Sequence, residues 1–112
     1  MEPKELGNSS LGMQPHVEAL LCYLAGFVTG VIFYVLEKEN KFVRFHAMQS
    51  IITFGSLFVL SLIVSHIPFI GWVVLPVIWI AEIVLWILLM LKAYQGERFK
   101  IPFAGEIAEK NA

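Results

Sequence analysis

Cysteine and charge are what this 112-residue chain has least of. Cys22 is the only cysteine, so no disulfide can form within the chain. Charged residues make up 15% of the sequence, against about 25% in ordinary globular chains. Between Arg44 and Lys92 the only charged residue is Glu82. A soluble helical protein needs charged faces on its helices, so this uncharged region excludes that class and predicts an integral membrane protein.

Motifs that bind nucleotides or metals are also missing. The sequence has no glycine-rich phosphate loop and no nucleophile–base pattern. Its three histidines, His16, His46 and His66, are far apart and lack the neighbouring thiols or carboxylates of a zinc site. We therefore expect no enzymatic activity, no cofactor, no metal site and no nucleic-acid partner.

What the sequence does contain is three long apolar runs. They predict an all-α integral membrane protein in which residues 15–93 form a small bundle of three transmembrane helices, at about 18–36, 42–67 and 69–92. Residues 1–14, rich in Gly and Ser, are predicted to be a flexible tail. Residues 94–112 are polar and are predicted to be a cytoplasmic C-terminal segment.

The distribution of Lys and Arg predicts the orientation in the cytoplasmic membrane. With three spans, the N-terminal side holds only Lys4. The other side holds Lys38, Lys41, Arg44, Lys92, Arg98, Lys100 and Lys110. Because short loops rich in Lys and Arg remain in the cytoplasm, this bias predicts a multi-pass protein with its N-terminus outside and its C-terminus cytoplasmic.

The charged loop before the second run continues into an aromatic segment. Phe42 and Phe45 flank Arg44 where the chain enters the apolar run again. Aromatic and basic residues are common at the membrane–water interface, so we expect these three residues to be an interfacial anchor.

Small residues recur at four-residue spacing in the first run. Cys22, Gly26 and Gly30 lie on one stripe of a helix, and such stripes let another helix approach closely. The sequence predicts a packing stripe, either for self-association or for packing within one protomer.

Polar residues share one face of the second run. At 100° per residue, an arc of about 120° holds five side chains. These are His46, Gln49, Ser50, Thr53 and Ser56. Lipid cannot satisfy them, which indicates a buried functional or packing face. Ser and Thr can also bond back to their own helix, but that explains Gln49 and His46 less well.

Glu82 is predicted near the midpoint of the third run, where a charge is costly. Ser56, Thr29 or Glu82 of another copy could lie at its depth. Two roles are open for it. A protonated carboxyl would bond two helices together, whereas an ionised one would face a water-filled polar path.

Two blocks of sequence resemble a known family. They are Glu39–Ser50 and Ala93–Ala108, the latter with Gly96, Phe99, Pro102 and Gly105 at three-residue spacing. The similarity runs from Leu20 to Glu109. It is to small prokaryotic membrane proteins of unknown function, distant relatives of the chloroplast inner-envelope Tic import-channel subunit. The resemblance implies a helical membrane protein and a channel or translocation role, and it brings no catalytic residues.

Three functions remain open at this point. The chain could be a subunit of a channel or translocation assembly, formed by a homo-oligomer around the His46–Ser56 face. It could be a small proton-coupled transporter, acting as an oligomer through Glu82. It could also be a structural partner of another membrane complex. The lipid bilayer is expected to surround it in each case.

Overall fold

The computed structural model describes residues 10–112, and these contain five helices and no strand. The first nine residues of the predicted flexible tail lie outside the described part. The helices are α1 (Pro15–Leu24), α2 (Phe27–Leu36), α3 (Lys41–Ser65), α4 (Ile70–Tyr94) and α5 (Ala104–Lys110).

The first apolar run is two short helices rather than one span. α1 and α2 have 10 residues each, and the chain turns between them at Gly26, whose φ of 62° is in the left-handed region that glycine adopts readily. α2 then returns along α1. The continuous helix predicted over residues 18–36 is therefore wrong, because the chain reverses in the middle of that run.

Hydrogen bonds tie the two ends of this hairpin together. The backbone N–H of Ser10, before α1, donates to both carboxylate oxygens of Glu37, after α2, at 2.9 and 3.0 Å. The Ser10 hydroxyl accepts from the backbone N–H of Glu39 at 3.2 Å. The hairpin thus begins and ends at the same end of the molecule.

α3 and α4 are the two helices long and apolar enough to cross a membrane, with 25 residues each. Asn40 begins α3, where its side chain accepts from the backbone N–H of Val43 at 3.1 Å. α4 continues through Pro76 to Tyr94. Their bounds lie within two residues of the predicted runs 42–67 and 69–92. A third span and the predicted orientation are not confirmed.

The C-terminal segment folds back onto the bundle. After α4 the chain runs without helix to Phe103, and α5 then packs on α3. Ala104 and Ala108 of α5 are buried, and the Tyr34 hydroxyl of α2 donates to the carbonyl of Asn111 at 2.7 Å. This segment therefore lies beside the hairpin's two ends.

The polar segments outside the four longer helices consequently meet at one end of the molecule. We call it the charged end; it comprises residues 10–14, 37–40 and 95–112. Near it, α1 and α2 pack against the first half of α3 and the second half of α4, as the pairs His16–Tyr94 and Phe27–Phe58 show. Beyond the hairpin's turn, among the described residues, only α3 and α4 continue to the other end.

Candidate functional site at the hairpin turn

A buried polar cluster joins the hairpin to α3 and to the C-terminal segment. Its members are Tyr23, His46, Gln49 and Ser50, all fully buried. The Gln49 amide nitrogen donates to the Tyr23 hydroxyl at 3.0 Å and to the carbonyl of Phe99 at 2.8 Å. The Gln49 amide oxygen accepts from the backbone N–H of Ile101 at 3.0 Å. A single side chain of α3 thus holds two other parts of the chain.

The hydrogen bonds of this cluster assign the proton on His46. Its Nε2 lies 2.9 Å from the carbonyl of Glu97, which can only accept. Nε2 therefore carries the proton, and Nδ1 accepts from the Tyr23 hydroxyl at 2.6 Å. His46 is then a neutral, fully bonded residue, and it has no free nitrogen for a metal or a substrate.

The remaining members of the predicted polar face have different surroundings. The Ser50 hydroxyl donates to the carbonyl of Gly26 at the hairpin turn, at 2.8 Å. Thr53 is buried, and its hydroxyl has no hydrogen-bond partner in the part of the chain described. Ser56 is exposed on the outer surface of α3. The polar face is therefore used inside the protomer, except at Ser56.

The three residues of the predicted interfacial anchor make contacts within the protomer. Phe42 and Phe45 are buried, with ring centroids 4.6 and 5.1 Å from that of His46, rather than projecting into the lipid interface. Arg44 donates to the carbonyls of Tyr34 and Glu37 at 3.0 and 2.8 Å. Its guanidinium thus binds the last carbonyls of α2, where a cation suits the negative helix end.

The predicted packing stripe is an internal contact between α2 and α3. A Cβ added at Gly30 would lie 2.8 Å from the Ser50 hydroxyl and 2.9 Å from the carbonyl of Ala47. Cys22 is buried, with its sulfur 3.8 Å from the carbonyl of Val43. Gly26 forms the turn. The stripe therefore packs within the protomer, against α3, and gives no support to self-association.

Side chains satisfy the carbonyls that the hairpin turn leaves without helical partners. The Trp86 indole N–H donates to the carbonyl of Tyr23 at 2.7 Å. The Thr29 hydroxyl donates to the carbonyl of Cys22 at 3.1 Å. Since lipid offers no hydrogen bonds, a broken helix at membrane depth requires such contacts.

Glu82 lies beside this turn, in a cavity of about 310 Å³. The lining combines the turn with aromatic rings from three helices. It consists of Leu24, Ala25, Gly26, Phe27, Phe54, Phe58, Glu82, Ile83 and Trp86. Glu82 is half-buried, and no hydrogen bond or ion pair joins it to another group within residues 10–112. Of the three partners considered from the sequence, the two within the chain, Ser56 and Thr29, do not line the cavity.

Sequence reasoning assigned no site role to Tyr23 and Trp86 at this turn, nor to Glu37 at the charged end. Tyr23 and Trp86 had a usable signal, since each carries a polar atom in an apolar run and must find a partner when buried. Glu37 is fully buried although the sequence places it in a charged loop. Its role depends on the return of α2 to Ser10, which no local pattern reveals.

Comparisons with known proteins identify relatives over nearly the whole chain. The chain is 53% identical over 105 residues to a UPF0132 membrane protein of Methanocaldococcus jannaschii, covering 94% of each chain. A second M. jannaschii protein of that name is 54% identical, over 90% of this chain and 72% of its own length. A UPF0132 membrane protein of Archaeoglobus fulgidus is 44% identical, over 88% of this chain and 95% of its own length.

No solved structure matches the chain. None of the matches supports the resemblance to the chloroplast Tic subunit. The expectation of a family of small prokaryotic membrane proteins of unknown function is confirmed. Residues 8–108 match the model of the magnetosome magnetite crystal formation protein family, and the chain belongs to that family.

Proposed function

We propose that this protein binds a lipophilic organic cation at Glu82 and acts as a small proton-coupled transporter. The observation that carries the proposal is the cavity at the hairpin turn, where one carboxylate faces aromatic rings at membrane depth. An ionisable residue inside the membrane is costly and by default suggests a functional site. The relatives are named only as membrane proteins, and a membrane site is compatible with those names.

The lining of the cavity suits a cation with apolar substituents. Phe27, Phe54, Phe58 and Trp86 contribute aromatic rings, which attract cations through their faces. Glu82 contributes the opposite charge. The volume of about 310 Å³ is within the range of small-molecule sites, roughly 300–1,000 Å³. A single carboxyl group holds either a proton or, as the carboxylate, the cation, and this exchange at one group would couple the movement of the two.

The proposed topology has two spans and a hairpin that re-enters the membrane from the cytoplasm. Ten helical residues extend about 15 Å, half of the roughly 30 Å hydrocarbon core. Val28, Ile32 and Val35 of α2 are exposed and are apolar enough to face lipid. The seven Lys and Arg residues within the described range all lie at or next to the charged end, which supports a cytoplasmic location for it. The start of α1 would then lie on the cytoplasmic side, contrary to the orientation expected from three spans.

Cysteine labelling tests this topology. Lys38→Cys places a thiol on the charged end, and His66→Cys places one in the exposed α3–α4 turn. In intact cells a membrane-impermeant maleimide should label the His66→Cys variant and not the Lys38→Cys variant. The unsubstituted chain is the control, because its only thiol, Cys22, is buried. The two topologies differ at the start of the hairpin, where a Gln14→Cys variant should stay unlabelled if there are two spans and should be labelled if there are three. Labelling of the Gln14→Cys or the Lys38→Cys variant from outside would overturn the proposal.

Binding of tetraphenylphosphonium to the purified protein tests the cation site. Glu82→Gln keeps the shape of the side chain and removes the charge, so we expect affinity to fall by about tenfold, or roughly 1.4 kcal/mol. Phe58→Leu should weaken binding less, because other rings remain. Ser56→Ala, outside the cavity, should bind as the parent does. Equal affinity of Glu82→Gln and the parent would contradict the site.

Transport is tested separately in liposomes. A proton gradient should drive uptake of the same cation by the parent and not by Glu82→Gln. Binding without uptake would leave a membrane receptor or structural partner as the function. Ion conductance without any cation specificity would instead favour a channel or translocation subunit.

The channel has less support than the sequence suggested. Its pore was expected on the His46–Ser56 face of a homo-oligomer, but four of those five side chains are buried within one protomer. Only Ser56 remains on the outside.

A further inference from the structure

The helices are distributed unequally between the two halves of the membrane. Starting from the charged end, four helices (α1 to α4) lie side by side until the Gly26 turn. Past that turn, only α3 and α4 continue among the described residues. This difference rests on the two-span topology proposed above.

The inequality has a definite size. An α-helix with its side chains is about 10 Å across, so two additional helices occupy roughly 160 Å² more of one leaflet than of the other. The described chain is elongated, with extents of 49 × 28 × 21 Å. Its long axis can therefore follow α3 and α4 across the bilayer, with the additional area at one end only.

The C-terminal segment adds apolar surface at the same end. Phe103, at the start of α5, is 80% exposed, and Ile107 on the same helix is 46% exposed. Polar Lys100 and Glu109 pair beside them. A short helix with exposed apolar side chains next to charged ones can lie among lipid head groups, which widens the charged end further.

This wide end is held rigidly. The buried polar cluster connects the hairpin, α3 and the C-terminal segment, and the Trp86 indole binds α4 to the hairpin. At Gly30 α2 lies so close to α3 that an added Cβ would be 2.8 Å from the Ser50 hydroxyl. A packed interior of this kind resists deformation, so the surrounding lipid must adapt to the protein.

We infer that the protein is a wedge that favours curved membrane, with its charged end in the convex leaflet. Its partner in this role is the lipid surface itself. In a cell, such a molecule would concentrate where the membrane bends toward the cytoplasm, and enough copies would promote that bending. This activity is separate from cation binding, because Glu82 takes no part in it.

Membrane tubes pulled outward from giant vesicles test the inference with the full-length protein. The vesicles contain either the Lys38→Cys or the His66→Cys variant in mixed orientations. An impermeant dye added outside labels the Lys38→Cys variant only where its charged end faces out. It labels the His66→Cys variant only where the charged end faces the vesicle interior. In such a tube the outer leaflet is convex.

The two labels should give opposite results. Relative to a lipid dye, molecules labelled in the Lys38→Cys variant should be enriched in the tube, and those labelled in the His66→Cys variant should be depleted. Enrichment of both, or tube-to-vesicle ratios equal to that of the lipid, would overturn the wedge. A wrong topology is recognised separately, because three spans would put Gln14 and His66 on the same side, and molecules with cysteines at both positions would then carry both labels.

Discussion

The two halves of the helical bundle differ in how they are held together. In the half next to the charged end (the inner half), side chains from α1, α3, α4 and the C-terminal segment are fully buried, polar ones among them. In the outer half the described residues form only the α3–α4 hairpin, where Val64, Gly71 and Ile78 are the buried positions. The two helices approach closely at Gly71, where an added Cβ would lie 2.8 Å from the carbonyl of Val64.

The comparison teaches where this fold can contain polar side chains. His46 and Gln49 are tolerated in an apolar region because α1 and the C-terminal segment bring partners to each of their polar atoms. In the outer half the exposed Ser65 and His66 bond to the carbonyl of Leu62 on their own helix and to each other, with no partner from another helix among the described residues. Stability should therefore depend on the inner half far more than on the outer one.

Substitution of Gln49 should have the largest effect on the stability of the inner half. Gln49→Leu removes three hydrogen bonds and leaves the Tyr23 hydroxyl and the backbone groups of Phe99 and Ile101 without that partner. Each unsatisfied buried group costs about 1–3 kcal/mol, so we expect a loss on the order of 3 kcal/mol in thermal or denaturant unfolding in detergent.

Ser56→Leu is the matched control for that substitution, because it changes an exposed residue of the same helix. We expect little change in stability from it. Equal losses from the two substitutions would mean that the cluster does not stabilise the inner half.

A pair of glycines on two helices sharpens the comparison at a smaller scale. Gly30→Ala forces a Cβ against the Ser50 hydroxyl and the Ala47 carbonyl, and overpacking costs about 1–3 kcal/mol. Gly55→Ala in α3 meets nothing within 4 Å and should stabilise its helix by roughly 0.5–1 kcal/mol. Melting temperatures should move in opposite directions; a common direction would show that the α2–α3 contact can relax freely.

The smallest effect is expected at the Lys100–Glu109 ion pair of the charged end. The neighbouring Lys100 ammonium lowers the pKa of the Glu109 carboxyl below its ordinary value. The pair then contributes stability above the ordinary carboxyl pKa, and that contribution is lost as pH falls through the lowered pKa of the folded state. Because Glu109 is fully exposed, solvent screens the interaction strongly.

Lys100→Ala should accordingly lower the melting temperature slightly at neutral pH and not at all in strong acid. Lys38→Ala, which removes an exposed lysine outside the ion pairs of the described residues, is the control and should show no such pH dependence. A difference that grows on acidification would contradict the assignment.

The sequence was sufficient for α3 and α4. Both helices, of 25 residues each, follow long apolar runs, and length and hydropathy are local signals. The polar face from His46 to Thr53 was likewise visible in helical periodicity, and its members lie together because one rigid helix carries them.

The hairpin could not be predicted in the same way. A continuous helix and two antiparallel helices have the same apolar composition, and Gly26 is compatible with either. The choice depends on Ser50 and Trp86, which bind the carbonyls that the turn sets free. They come 24 and 63 residues after their partners. The cavity at Glu82 was equally invisible, because it exists only where that turn meets α4.

The buried polar cluster makes folding depend on the order in which the chain is synthesised. Gln49 and His46 leave the ribosome about 50 residues before the carbonyls of Phe99 and Glu97 that they bind. Until the last part of the chain arrives, both side chains lie in an apolar region with incomplete bonding. The final segment therefore completes the hydrogen bonds of the inner half. A chain cut short before Glu97 would leave polar groups of His46 and Gln49 without partners, and the quality-control machinery of the membrane could recognise them.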